Sequence, residues 1–310
     1  MKIIRDLHRL PRPIPYPVAA LGNFDGVHIG HQMIFRRVAE ISQARGGTGL
    51  AFTFQPHPLK VIAPEKVPLL LTTFRKKIEL IEQCGINLVI CARFNRRFAD
   101  QQPRDFARNF LAEGLGVREV VVGFDYAFGC GREGTIQYLE KMGREFGFLV
   151  QVVEQVKIDG RGVSSSLVRE LLEKGEVEKA AVFLGRPYAL QGPVIHGYKT
   201  GRGIGFPTAN IDTSHVQIPA TGVYAVRVRS GGRSFDGVAN IGYNPTFNRD
   251  RLSVEVHIFD FHHQIYGRQV ELAFICRIRG EQAFDSADGL VRQIKQDIET
   301  AKSILAARSS

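Results

Sequence analysis

The chain has 310 residues, 44% of them hydrophobic and 23% charged, which excludes disordered and fibrous architectures. Its 41 basic residues outnumber 31 acidic ones, and a formal net charge of +10 suggests an anionic partner: a nucleotide, nucleic acid or a membrane surface. Cys84, Cys91, Cys130 and Cys276 form no C-x-x-C pair, which argues against a zinc cluster or disulfide framework and for reduced thiols in a cytoplasmic protein. The first residues lack the apolar stretch of a secretory signal, and no run approaches the roughly eighteen apolar residues of a membrane span.

A short buried strand at residues 18–22 leads through a Gly-rich turn into a helix from about 30 to 44. A strand at 49–54, a helix at 74–84, a strand at 87–91 and a helix around 106–111 follow. A strand at 119–123, a helix at 135–146 and an extended stretch at 148–156 complete the series. Strands alternating with helices of ten to fifteen residues predict a parallel sheet with helices on both faces. Two more helices, 164–174 and 176–184, end at Gly175 and at Gly185-Arg186-Pro187. The texture then changes. Strands at 188–195, 222–229, 235–241, 253–259 and 270–278, separated by Gly, Pro and Asn turns, predict an antiparallel barrel, closed by an amphipathic helix at 284–305. The division falls near Gly185, giving domains 1–185 and 186–310.

The strongest local signal is Gly22-Asn23-Phe24-Asp25-Gly26-Val27-His28-Ile29-Gly30-His31. It lies where a first strand gives way to a first helix, the place where a doubly wound sheet binds phosphate. Glycines let the backbone approach an anion, the helix start offers unpaired N–H groups, and imidazoles can donate to phosphate oxygens. A metal site of the H-E-x-x-H kind would want a Glu between the histidines, and there is none. Two later segments fall at the same sheet edge: Thr53-Phe54-Gln55-Pro56-His57-Pro58, and Gly123-Phe124-Asp125-Tyr126-Ala127-Phe128-Gly129, whose aromatics either face a flat ring or fill the core. Ser164-Ser165-Ser166 opens a helix with Arg169 one turn on, a second anion cradle or a plain N-cap.

The second half carries Gly201-Arg202-Gly203-Ile204-Gly205-Phe206-Pro207-Thr208-Ala209-Asn210. Its glycines allow a tight turn near phosphates. Thr208 and Asn210, on alternate positions of an extended segment, project to one side and can join a magnesium–phosphate site. Ser253-Val254-Glu255-Val256-His257 puts a carboxylate and an imidazole on one strand face, which in a barrel is either interior or an outward face with solvated charges; a Glu near an alcohol and an ATP γ-phosphate can accept the alcohol's proton. Asn240-Ile241-Gly242-Tyr243-Asn244-Pro245-Thr246-Phe247 reads as a structured turn. Arg279-Gly280-Glu281 with Phe284 reads as a polar loop where an Arg and an aromatic cover a ring. The near P-loop at residues 192–200 fails because Tyr198 separates Gly197 from Lys199, and no H-R-D or D-F-G marks a protein kinase.

In combination, G-x-F-D-G-x-H-x-G-H at 22–31 and, later, G-R-x-x-G-F-P-T-A-N, G-V-Y, G-V-A-N-I-G, E-V-H and Y-G-R resemble the prokaryotic bifunctional riboflavin kinase/FMN adenylyltransferases, over about residues 14–300. The resemblance implies a Rossmann-like nucleotidyltransferase domain of the H-x-G-H type followed by a β-barrel riboflavin kinase domain. It implies that riboflavin is phosphorylated by ATP to FMN, and that FMN is adenylylated by ATP to FAD with release of pyrophosphate. It assigns Thr208 and Asn210 to Mg²⁺ and the ATP phosphates, and Glu255 as the base for the ribityl 5′-hydroxyl. His28 and His31 become stabilisers of transition-state charge, and Ser164 and Arg169 holders of the triphosphate. Gly22, Asn23, Phe24, Asp25, Gly30, Asp125, Gly203, Gly205 and Arg279 complete the expected nucleotide and flavin contacts. The family's D-F-R-F-G is Asp125-Tyr126-Ala127-Phe128-Gly129 here, so one Arg contact is missing at 127, and Ser166 replaces the commoner Thr.

The competing readings are a chain with one decayed activity, another adenylyltransferase, and a basic nucleic-acid-binding protein. Intact motif sets in both halves oppose the first, and the second domain opposes the second. The third would gather its cations on one arm, but here they are spread, with only short runs such as Arg75-Lys76-Lys77. The expected partners are small molecules, not nucleic acid or membrane, with self-association left open.

Overall fold

The computed structural model describes residues 1–10, 13–196, 205–213, 216–243, 252–261 and 263–308. The chain falls into two compact units, Met1–Leu69 with Phe74–Ser164, and Leu70–Thr73 with Ser165–Ser310.

The first unit holds strands β1 (Lys2–Ile4), β2 (Pro17–Leu21), β3 (Thr48–Gln55), β4 (Leu88–Arg93), β5 (Glu119–Gly123) and β6 (Leu149–Val153). Between them lie α1 (Ile29–Ala44), α2 (Leu59–Ile62), α3 (Phe74–Gln83), α4 (Arg96–Ala99), α5 (Pro103–Asp105), a π-helix (Phe106–Leu115) and α6 (Ile136–Phe146). The six strands pair in parallel in the order β1-β4-β3-β2-β5-β6. Successive strand residues face opposite ways, and the core splits accordingly. Ala19, Leu21, Leu50, Phe52, Val120 and Val122 pack with Phe106 and Leu111 of the π-helix and with Leu139 and Met142 of α6. Val18, Ala20, Ala51, Val89 and Val121 face the other way, onto Ile34, Phe35 and Val38 of α1 and Leu80 and Ile81 of α3. This is the expected doubly wound sheet. Strand order reverses between β2 and β5, so the crevice beyond their carboxyl ends is the natural ligand position. A two-stranded hairpin, β7 (Lys157–Ile158) and β8 (Arg161–Gly162), ends the unit.

In the second unit α7 (Ser165–Glu173) and α8 (Val177–Leu184) precede β9 (Tyr188–Ile195), β10 (Ala209–Ile211), β11 (Gly222–Ser230), β12 (Arg233–Tyr243), β13 (Leu252–Ile258), β14 (Gln269–Arg279) and α9 (Ala287–Ala307). The strands close an antiparallel barrel in the order β10-β13-β12-β11-β14-β9. Tyr188, Tyr224, Val226, Leu272 and Phe274 are buried along it. Ser286 caps α9 through the Gly289 N–H, and Ile298, Ala301 and Leu305 of α9 pack on Val223, Ala225, Val238 and Ile275. The segment read as a turn from Asn240 is corrected up to Tyr243: these residues continue β12. Arg279 likewise ends β14 and does not sit in a loop.

Candidate active sites

The first centre forms at the reversal point, between β2 and α1. Phe24, Gly26 and Val27 all adopt positive φ, at 55°, 79° and 42°. Phe24 and the β-branched Val27 take this conformation at a cost, and both are buried, which holds them there. A backbone curled this way turns successive N–H groups to one side, as in an anion nest. Gly22 is required by close approach, because a Cβ there would lie 2.9 Å from the Phe24 ring. By the β2–β5 register Gly22 comes level with Gly123. The exposed Asp125 folds back over that strand end, with Oδ1 3.4 Å from where a Gly123 Cβ would stand.

His28 is the N-cap of α1, and its Nδ1 accepts the His31 backbone N–H at 3.3 Å. An accepting Nδ1 puts the ring proton on Nε2. The two imidazoles stack with centroids 3.6 Å apart and planes 17° from parallel. Phe24 meets His31 edge to face. Gly30 leaves room for the His28 ring, which a Cβ would approach to 3.2 Å. Burial holds His31 well below the usual histidine range, and His28 and Lys77 push it the same way. His31 is therefore neutral at pH 7. Its Nδ1 is buried without a hydrogen-bond partner, the kind of orphan that an incoming ligand can satisfy.

Asn23 enters through its backbone. Its carbonyl accepts the Thr53 hydroxyl at 3.2 Å and the Lys77 ammonium at 3.0 Å. Thr53 is wholly buried, Lys77 is 8% exposed and Asp25 is 5% exposed. Burial lowers the Lys77 pKa, with Asp25 and Cys91 acting against it. Sequence reasoning placed Lys77 only in a short basic run. A signal was available: Phe74, Lys77, Ile78 and Ile81 share the helical spacing of one apolar face. Of the aromatics after β5, Phe128 belongs to the core cluster and Phe124 is exposed. Ser164 closes the first unit, whereas Arg169 stands on α7 in the second.

The second centre lies on the barrel. Asn210 of β10 is directly opposite Glu255 of β13, and Asn240 of β12 is opposite Glu255 on its other side. The Thr208 hydroxyl donates to Glu255 Oε2 at 3.1 Å. Thr208, Asn210 and Glu255, far apart in sequence, are thus brought together. Of the two faces the sequence left open for Glu255, the structure shows the outward one. Val254, Val256 and Ile258 are the buried alternate residues of β13, whereas Ser253, Glu255 and His257 share the other, half-buried face. A six-stranded barrel filled by apolar side chains has no room for a carboxylate inside. His257 Nδ1 lies 2.9 Å from the Pro207 carbonyl and anchors the approach to Thr208. Gly205 has φ 90° and open space around its Cα. Asn240, read as a turn residue, is the polar neighbour that sequence reasoning missed. Gly203 and Arg202 lie outside the described residues, as do Gly197, Lys199 and the stretch Asn244-Pro245-Thr246-Phe247.

Arg279 is committed within the fold. Its Nε and Nη2 donate to the Asp297 carboxylate, the closest contact being 2.8 Å, and Nη1 donates to the Gly280 carbonyl. Phe284 lies under the guanidinium at 5.8 Å. The donor set at Thr208, Asn210 and Glu255 is all oxygen, which suits a hard cation that arrives with phosphate and brings its remaining ligands as water. No cluster of three or more His, Cys, Asp or Glu able to hold a metal occurs among the described residues.

A family model for FAD synthetase matches residues 14–167, and one for riboflavin kinase matches residues 184–305. Bifunctional riboflavin kinase/FMN adenylyltransferase of Escherichia coli K12 is 40% identical over 304 residues, covering 97% of each chain. That of Bacillus subtilis 168 is 40% identical over 290 residues, covering 92% of this chain and 91% of its own. A crystal structure described as a macrolide-efflux protein from Streptococcus pneumoniae superposes with a TM-score of 0.86 at 31% identity, covering 97% of this chain and 98% of that one. No helix among the described residues is long and apolar enough to cross a membrane.

Proposed function

The chain belongs to the bifunctional riboflavin kinase/FMN adenylyltransferase family, and from that premise we propose that it makes FAD from riboflavin in two ATP-dependent steps at two separate centres. The observation that carries this reading is that one chain assembles both donor sets, the stacked His28/His31 pair at the sheet reversal and the Thr208–Asn210–Glu255 group on the barrel.

At the barrel, Glu255 accepts the proton of the ribityl 5′-hydroxyl as that oxygen attacks the ATP γ-phosphorus, yielding FMN and ADP. The Thr208 hydroxyl, bonded to Glu255, orients the carboxylate. The Thr208 and Asn210 oxygens would hold Mg²⁺, which when bound supplies charge neutralisation between phosphates. We assign this step to residues 186–310.

At the sheet edge the nucleophile is the FMN phosphate itself, so no side chain needs to be deprotonated. The FMN oxygen bonds to the α-phosphorus as the bond to pyrophosphate breaks. The curled Gly22–Asp25 backbone and the start of α1 receive the phosphates. The His28 and His31 rings hydrogen-bond to oxygens that gain charge in the transition state. Asp125 lies at the same edge, and Ser164, which closes the first unit, would hold the triphosphate. We assign this step to residues 1–185. We place Arg279 and Phe284 at the border of the riboflavin kinase centre, and Ala127 stands where the D-F-R-F-G pattern has Arg, which puts one phosphate or loop contact in doubt. The surplus of basic residues suits substrates that are polyanions apart from riboflavin, and four free cysteines suit the cytoplasm.

Chromatography of flavins after incubation with riboflavin, ATP and Mg²⁺ tests the proposal. FMN should appear first and FAD after it. FMN accumulating alone would remove the adenylyl step, and no product from either riboflavin or FMN would remove the flavin assignment.

A further inference from the structure

Lys77 lies in the wall of the first centre, buried on the face of α3 that carries Phe74, Ile78 and Ile81. It sits on α3 at a position that the spacing of Phe74, Ile78 and Ile81 reserves for an apolar residue. Burying an ammonium is costly unless its surroundings compensate it. Its surroundings here are the Asn23 carbonyl at 3.0 Å, the Thr53 hydroxyl at 3.3 Å, the Phe74 ring at 5.7 Å and the charge of the buried Asp25, which acts against the burial penalty. Neither oxygen depends on it. The Thr53 hydroxyl donates to the Asn23 carbonyl at 3.2 Å, so these two groups satisfy each other without the lysine. What Lys77 adds is a positive charge, fixed against the loop that carries Asn23, Asp25 and His28.

The centre has use for that charge. His31 is held neutral by burial, and Lys77 itself contributes to keeping it so. The imidazole can therefore donate a hydrogen bond but cannot supply a full positive charge to a transferring phosphate. We propose that Lys77 is a buried counter-charge of the adenylyl-transfer centre, stabilising the charge that gathers on the phosphate oxygens in the transition state. The inference rests on reading residues 22–31 as the adenylyl-transfer site. It gives Lys77 an electrostatic part, exerted across the Asn23 peptide, rather than contact with a reacting atom.

The test uses the full chain, with riboflavin phosphorylation at the barrel as the internal control. Lys77→Met should lower kcat for FMN-to-FAD conversion about 10- to 100-fold. The KM for FMN should stay within about threefold, and FMN formation from riboflavin should not change. Thr53→Val keeps the charge and removes the hydroxyl, so its kcat should stay within about threefold of the parent. Lys77→Gln can still donate toward Asn23 but is neutral, and it should fall as far as Lys77→Met. It also decides the matter if the Met variant fails to fold. Wild-type kcat in Lys77→Gln or in a folded Lys77→Met overturns the proposal. So does a Thr53→Val variant that falls as far as either, since Lys77 would then be a tether. A parent protein that makes no FAD from FMN overturns the site assignment as well; a parent that does, with unchanged variants, overturns this inference alone.

Discussion

The two centres solve opposite problems. The one at the sheet edge is the more buried: His28 and Asp25 are buried, His31 is neutral, and a lysine is held under the loop. The one on the barrel is open: Glu255 is half-buried on the outer face, bonded to a hydroxyl and flanked by Asn210 and Asn240. The contrast follows from the nucleophile each would meet. A phosphate is already an anion and needs surroundings that tolerate growing charge. An alcohol must lose a proton, so it needs a base that water can reach and recharge.

That contrast breaks most sharply at Glu255. Glu255→Gln keeps shape and a hydrogen bond to Thr208 but removes the proton acceptor. FMN formation should fall about 10²- to 10⁴-fold while FAD formation from supplied FMN persists, read by separating the flavins. His31→Ala should do the reverse, lowering FAD formation about 10²- to 10³-fold with riboflavin phosphorylation intact. Loss of both activities in a folded variant of either kind would mean that the centres are not independent.

Arg279 sharpens the comparison on the barrel side, because its ion pair competes with any ligand role. Arg279→Met leaves the Asp297 carboxylate, whose side chain is 5% exposed, without its partner. The second unit should lose about 3–5 kcal/mol in denaturant unfolding. A stable variant with a raised KM for riboflavin would instead make Arg279 a flavin contact first.

The smallest expected effect is the pH dependence of the sheet-edge centre. An unfolded histidine takes up a proton near pH 6.5, whereas His31 in the fold titrates well below that value. Its contribution is complete above pH 6.5 and is lost as pH falls below it, by at most about 1.4 kcal/mol per pH unit. The thermal midpoint of the parent should drop between pH 7.5 and 5.5 by more than that of His31→Ala. Equal drops would mean that His31 is not buried neutral.

The architecture was legible because its signals are local. Alternation of strand and helix marked the sheet, and the Gly-rich strand-to-helix junction marked where its ligand edge lies. β1 was missed because it is three residues long, mostly exposed, and paired only through β4, far along the chain. Residues 240–243 were misread because Gly242 looks like turn chemistry. Gly237 and Gly242 serve close approach instead: a Cβ would come within 2.7 Å of the His257 carbonyl and 2.8 Å of Glu281 respectively. The outward facing of Glu255 depends on barrel closure, which no short window contains. Lys77 was hidden by composition, since a lysine beside Arg75 and Lys76 reads as a solvated run even where the helical spacing turns it inward.

The left-handed residues Phe24 and Val27 carry one more consequence, for thermal adaptation. Each is kept in an unfavourable backbone shape by its surroundings, so folding stability has been given up to preset the loop. Selection for heat resistance alone would find substitutions that let this turn relax. The resulting proteins should melt later and adenylylate more slowly, while their phosphorylation of riboflavin, housed on a different scaffold, keeps its pace.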